Sequence, residues 1–313
     1  PPGSEPNNPP PSNPPTGTQP PVEQPKGPML MRPLGNTGLM ISAVGFGGGS
    51  RYLMAGEAEA ERMIHRAIEL GITYFDTAFS YGSNQASQKR YGKYLVPMYR
   101  NRITLVSKIE DRTAAGAKRQ LDLTLQALGT DKLDILHFHA IASKADVDRI
   151  VGPGGALEVV RQANEQGIVR FIGVTGHSTG AILVDALQRI KPDVIMCPQN
   201  AAREAGFTDM VLSYGKQNGI GLMGMKVTAQ DALMRSGVTG PQLLRYSLSL
   251  PVSAMIVGMR SMAVLESCCA IGRAFAPMPE AEMAELNAKY AALDMGRCLP
   301  YRRRGYRDGH CFA

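Results

Sequence analysis

Ile103-Thr104-Leu105-Val106-Ser107-Lys108 and Leu133-Asp134-Ile135-Leu136-His137-Phe138-His139 are two short apolar runs separated by a helical stretch, Ala114–Leu128. Each run has the length and aliphatic content of a strand buried on both faces. A crossover as long as a helix joins parallel strands, because antiparallel neighbours need only a tight turn. Working outward, the same unit recurs. The predicted strands are Ala43–Phe46, Thr73–Phe75, Ile103–Ser107, Leu133–Phe138, Val169–Val174, Val194–Cys197, Gly221–Met225 and Ser253–Val257. Helical spacing of apolar residues marks Glu57–Leu70, Ala114–Leu128, Ala156–Glu165, Ala181–Arg189, Met210–Gln217, Pro241–Leu248, Ala263–Arg273 and Glu280–Leu293. Eight evenly spaced units predict an α/β chain folded as a (β/α)8 TIM barrel, a single domain. A doubly wound sheet is the rival, but no G-x-G-x-x-G opens a helix after the first strand.

Composition sets the limits around this unit. The chain has 313 residues and is 44% hydrophobic, which excludes disorder throughout. No apolar run reaches the ~18 residues of a membrane span, so no transmembrane segment is expected. The net charge is +7, of which +4 falls in residues 297–313 through Arg297, Arg302, Arg303, Arg304 and Arg307. What is left is too dilute for a nucleic-acid surface, so no nucleic-acid partner is expected. Residues 294–313 read as a solvated basic tail. Five cysteines without a C-x-x-C give no metal site, and a Cys298–Cys311 disulfide is conceivable only in an oxidising compartment.

Twelve of the 22 prolines lie in residues 1–28. That Pro/Asn/Ser/Thr stretch lacks the apolar side chains to fold and is expected to be an arm or linker, with the barrel running over 29–293. A Pro-rich start without a methionine suggests a processed, exported protein, periplasmic or tethered to the envelope; a cytoplasmic enzyme is the alternative.

Active sites of such barrels lie at the C-terminal ends of the strands. The second strand runs into Asp76 and then Tyr81, the third ends at Lys108, and the fourth ends at His139. Singly, each has an ordinary explanation: a turn cap, a solvated charge, a core histidine. On adjacent strands they form one device. A lysine ammonium beside a phenol lowers its pKa of ~10, the carboxylate holds the lysine charged, and the imidazole orients a substrate oxygen. The expected product is a tuned tyrosine acid facing a carbonyl carbon.

These motifs resemble the aldo-keto reductase family. Arg32-Pro-Leu-Gly-Asn-Thr-Gly-Leu39 is similar to its N-terminal β-hairpin, and Ile41-Ser-Ala-Val-Gly-Phe-Gly-Gly48 to its first strand. Phe75-Asp-Thr-Ala78 with Tyr81-Gly82, Leu105–Lys108 and Leu133–His139 are similar to its catalytic strands. The resemblance implies the tetrad Asp76, Tyr81, Lys108 and His139, with His137 packed inside its strand. It implies an NADPH cofactor, NAD being possible, and a small-molecule carbonyl substrate for a monomer or small homo-oligomer. Gly47 and Gly48 are expected against the cofactor. Gly173-Val-Thr-Gly-His177 and Met225-Lys226 are variants of one bacterial branch. They place Thr175 and Gly176 near the carboxamide, Met225 against the ring, and Lys226 toward the pyrophosphate. Gly258, Arg260 and Ser261 resemble the phosphate turn before a helix. Val264 and Cys268 replace side chains the family uses at the adenine, leaving Arg260 alone for a 2′-phosphate. The chain has no tryptophan, so Phe46, Tyr52, Phe79 or methionines are expected to wall the carbonyl pocket. The resemblance thus implies reduction of an aldehyde or ketone. A cofactor-sensing regulatory protein on the same scaffold is the alternative.

Overall fold

The computed structural model describes residues 27–309 other than 236, 292, 295–297 and 304. Nearly all of the Pro-rich arm, and the export reading drawn from it, fall on residues 1–26, outside the described residues. Two strands, β1 (Met31–Pro33) and β2 (Met40–Ser42), form an antiparallel hairpin. The other eight are β3 (Val44–Gly47), β4 (Tyr74–Asp76), β5 (Thr104–Ile109), β6 (Leu133–Phe138), β7 (Val169–Thr175), β8 (Val194–Pro198), β9 (Gly221–Met225) and β10 (Ala254–Gly258). They close in sequence order into a barrel, with β10 pairing β3 and every pair in the ring parallel. The (β/α)8 fold expected from the strand rhythm is therefore the observed one.

Twelve helices are described: α1 (Ser50–Leu53), α2 (Glu57–Glu69), α3 (Ala86–Tyr94), α4 (Val96–Tyr99), α5 (Ala114–Leu128), α6 (Lys144–Val151), α7 (Ala156–Glu165), α8 (Gly180–Ile190), α9 (Ser213–Gln217), α10 (Gly240–Ser249), α11 (Met262–Arg273) and α12 (Glu280–Ala291). Thr113, Thr179 and Ser261 start α5, α8 and α11 by accepting hydrogen bonds from the backbone N–H three residues on. The helix expected over Met210–Gln217 begins as a wide π turn, Phe207–Leu212, before α9. The helical spacing in the sequence does not reveal α1, α3, α4 or α6. In α3 the buried positions are Ser87, Gln88, Tyr91 and Tyr94, so its inner face has no aliphatic stripe to detect.

Alternation along the strands separates two apolar regions. Tyr74, Val106, Ile135, Val194, Met223 and Ala254 fill the barrel, while Phe75, Leu105, Leu136, Phe138 and Val174 face the helices. Leu34 and Ile41 of the hairpin join the interior group. Gly221 at the start of β9 makes room for this: a Cβ there would come within 2.6 Å of the Leu34 side chain. The hairpin thus plugs the N-terminal end of the barrel and leaves the C-terminal end as the mouth.

Behind that mouth, α3 braces the strand carrying Asp76 through polar groups. Ser87 bonds Thr77 at 2.7 Å, the Tyr91 hydroxyl donates to the Asp76 carbonyl at 3.1 Å, and Gln88 donates to Ser107 at 2.8 Å. Gly48 lies in the same contact: a Cβ would stand 2.7 Å from the Asp76 carbonyl oxygen and 2.8 Å from the Tyr91 hydroxyl. Gly48→Ala is expected to destabilise the fold by about 1–3 kcal/mol, read by denaturant unfolding. An unchanged midpoint would show that this wall yields.

Candidate active site

Each catalytic candidate reaches the mouth from its own strand. Asp76 closes β4, Lys108 projects from β5, His139 follows β6, and Tyr81 stands in the loop after β4. Parallel neighbours in register bring these ends together: Asp76 pairs with Val106, and Lys108 with His137. The Lys108 ammonium donates to Asp76 Oδ2 at 2.6 Å, to the Thr77 carbonyl at 2.9 Å and to the Tyr81 hydroxyl oxygen at 3.0 Å. It also lies over the Tyr81 ring, 4.4 Å from the centroid. His139 meets Tyr81 edge-on, ring centroids 5.6 Å apart. Its Nδ1 side faces Glu110 at 3.4 Å and Ser80 at 3.5 Å. Nε2 of His139 is buried and makes no hydrogen bond among the described residues. This ring nitrogen lies at the mouth beside the phenol, with an Asp308 carboxylate oxygen 3.4 Å away. His137 is fully buried one inward position below, as expected for a packed histidine.

Burial dominates the electrostatics. It pushes the Asp76 carboxyl up and pulls the Lys108 ammonium down, each opposed by the ion pair between them. The expected lowering of the Tyr81 phenol is not seen. Burial, reinforced by Asp76 and Asp308, holds its pKa well above the ordinary value. The group is a firmly protonated donor in this structure. Glu110, by contrast, is pulled down to about 2, chiefly by its contact with His139.

A cleft of ≈ 390 Å³ runs from Asp76 and Tyr81 over the ends of β8, β9 and β10 to α11, within the usual ~300–1,000 Å³ of small-molecule sites. Gly47, Met225, Lys226, Gly258 and Arg260 line it, as do Val264 and Cys268. Arg51 and Asp231 also line it, and the sequence had not marked them. Asp231 pairs with Arg51 at 2.9 Å and with Arg260 at 3.6 Å. An apolar floor beside the tetrad and two guanidiniums near the start of α11 fit a dinucleotide, with phosphate at the cationic end.

Gly48, Thr175, Gly176 and Ser261 are not among the residues lining this cleft. Gly48 packs on α3, Thr175 accepts from Ala140 N at 2.9 Å, and Gly176 packs on Leu183 and Ile141. Ser261 caps α11. Lys226 points away from the phosphate end, to Tyr306 at 2.6 Å and to Asp308. Phe46 and Tyr52 are fully buried among the helices and Phe79 does not line this cleft. Met196, Met225, Met234 and the C-terminal residues Tyr306, Asp308 and Gly309 do.

Among its described residues, part of the C-terminal segment is packed at the mouth, although Arg303 and Arg307 are exposed as a basic tail suggested. Leu299, Tyr301 and Asp308 are buried, and Asn200 donates to the Tyr301 hydroxyl at 3.1 Å. Cys298 is a free thiol; Cys311, its conceived partner, lies outside the described residues. Among the described residues no cluster of metal-ligating side chains occurs, and no helix is long and apolar enough to cross a membrane.

Comparison with known proteins agrees with this fold. Residues 43–243 match the model of the Aldo/keto reductase family. The chain is 29% identical over 279 residues to L-galactose dehydrogenase of Arabidopsis thaliana, covering 75% of this chain and 86% of that one. It is 26% identical over 185 residues to a D-threo-aldose 1-dehydrogenase of a Pseudomonas species, covering 49% and 54%. The fold also superimposes on aldo-keto reductase AKR11C1 from Bacillus halodurans in its holo form, with TM-score 0.70, 20% identity and coverage of 88% and 100%. Since the family match runs from the start of β3 into α10, the chain belongs to the aldo/keto reductase family of oxidoreductases.

Proposed function

We propose that this enzyme reduces an aldehyde or ketone to the alcohol with NADPH, in a site where Tyr81 is the acid. One observation carries the reading: a buried lysine joins Asp76 at 2.6 Å and the Tyr81 hydroxyl at 3.0 Å, at the edge of the cleft. A bound nicotinamide supplies the hydride that the protein lacks. The chain's own residues do the rest. His139 Nε2 and the Tyr81 hydroxyl hold the carbonyl oxygen from two sides. The phenol gives up its proton as negative charge gathers on that oxygen, and Lys108 at 3.0 Å steadies the phenolate. Asp76 keeps Lys108 charged and aimed. In the oxidative direction the same phenolate takes the proton back.

Arg51, Arg260 and the start of α11 are proposed to hold the phosphates, with Met225, Gly258, Val264 and Cys268 along the cofactor. Arg260 lines the cleft near the start of α11 and is proposed to select NADPH by charge. Arg260→Ala is expected to weaken NADPH about tenfold and NADH hardly at all, the scale of one charge-assisted contact. Equal losses for both nucleotides would remove Arg260 from that role. Fluorescence quenching of NADPH followed by turnover of aldehydes, ketones and aldoses tests the whole reading. Aldoses enter that panel because two relatives are named for them.

A further inference from the structure

The C-terminal segment sets one carboxylate among the reacting groups. Asp308 Oδ2 lies 3.4 Å from His139 Nε2 and 3.4 Å from His177 Nε2, and Oδ1 is paired with Lys226. Both contacts to imidazole are close contacts without the alignment of a hydrogen bond. The Tyr306 hydroxyl donates to the same carboxylate at 3.0 Å, and its ring stands edge-on to His177 with centroids 5.2 Å apart. Next in the chain, Gly309 adopts φ +79 and lies so close on the Tyr81 ring that a methyl group there would clash with it. Farther back, Arg302 donates to the carbonyls of Ser178 and His177 and pairs with Glu204 at 3.4 Å.

Burial opposes the charge on Asp308. Lys226, with His139 and His177, nevertheless holds its carboxyl well below the ordinary range, so it sits in the mouth as an anion. An anionic oxygen facing His139 Nε2, beside a residue lying on the Tyr81 ring, stands where a carbonyl oxygen has to be held. Substrate and tail therefore compete for one place.

We propose that the described residues 299–303 and 305–309 form a displaceable strap whose Asp308 occupies the substrate-oxygen position, so that this structure is a self-closed form of the enzyme. A carbonyl substrate binds only to the fraction of molecules whose strap has withdrawn, and its apparent affinity falls by that fraction. Asp308 and Tyr306 are the latch, while Arg302 and Tyr301 tether the strap to the rim. Tyr306, Asp308 and Gly309 also line the cofactor cleft, so nucleotide binding is expected to favour the open strap as well. The inference rests on the reductase reading for the identity of the competing ligand.

Asp308→Ala in the full chain tests it with two readouts. Trypsin cuts after Arg302, which is tethered to the His177 and Ser178 carbonyls, only when the strap opens, and that bond lies well away from the substituted position, so the rate of tail release at Arg302, read by mass, measures the open fraction. Tail release and kcat/KM for aldehydes are both expected to rise about tenfold, the latter through KM. Asp308→Asn keeps the shape and loses the charge, and is expected to move both readouts the same way by a smaller factor. Unchanged cleavage, or faster cleavage with kcat/KM flat or lower, overturns the proposal. In the last case Asp308 positions His139 instead of displacing substrate. Faster cleavage in a protein that binds NADPH but reduces no carbonyl, with or without Asp308, leaves the strap in place and rejects the reductase reading.

Discussion

Tyr81→Phe is expected to cut kcat for carbonyl reduction by about 10²–10⁴-fold, the usual worth of a positioned acid, with nucleotide affinity unchanged. The substitution is conservative for packing. A phenyl ring keeps the edge contact with His139 and the approach of Lys108 at 4.4 Å from the ring centroid. Only the oxygen 3.0 Å from Lys108 is lost. The pH profile is a second check. Because burial raises the Tyr81 pKa well above its ordinary value, the acid form persists through and beyond neutrality. Reduction should therefore not decline between about pH 6 and 9 through loss of this proton. The same shift predicts that oxidation, which needs the phenolate, rises with pH over that range. A variant as active as the unchanged enzyme would remove Tyr81 from the chemistry.

Lys108→Met is expected to be severe in two separable ways. The side chain is 1% exposed and Asp76 is 2% exposed, so removing the ammonium strands a buried carboxylate. Breaking such a pair costs about 3–5 kcal/mol, measurable by denaturant unfolding. The double substitution Asp76→Leu, Lys108→Met removes both charges and should recover most of that stability. Turnover should stay lost in both, because neither protein has a cation beside the Tyr81 oxygen. Recovery of activity in the double variant would show that the pair serves the fold alone. A linkage argument gives the matching sign for Asp76. Burial raises its folded pKa above the unfolded value. Seen alone, such a carboxyl favours folding at low pH, and that contribution fades as pH rises through the raised value.

Much of the site was legible because barrel geometry converts position along a strand into position in space. A residue at the C-terminal end of any buried parallel strand arrives at the same rim, so Asp76, Lys108 and His139 followed from the ends of three apolar runs. The cofactor residues were less legible. Gly48, Thr175, Gly176 and Ser261 sit at the expected places in the chain, yet their contacts are with α3, Ala140, Leu183 and the cap of α11. Chain position marks a strand end but not the direction in which a small residue packs. Helix α3 escaped detection for another reason. Its inner face is built from Ser87, Gln88 and Tyr91, and hydrogen bonds to the strands replace the apolar period that reveals most helices.

The tail shows the limit most clearly. Its arginines read as a solvated basic end because local composition describes how a segment would behave alone. Lys226 and Asp308 are 82 residues apart, and nothing near either predicts the other. The sequence by itself determined the closed eight-stranded barrel and the arrival of Asp76, Lys108 and His139 at its mouth, since both rest on periodicity and strand ends, which are local. Only the tertiary structure decided that Asp308 enters the mouth, that Asp231 ties Arg51 to Arg260, and that the Tyr81 phenol is held above its ordinary pKa. Those outcomes depend on burial and on charges brought together from distant segments, and both come into being only when the chain has folded.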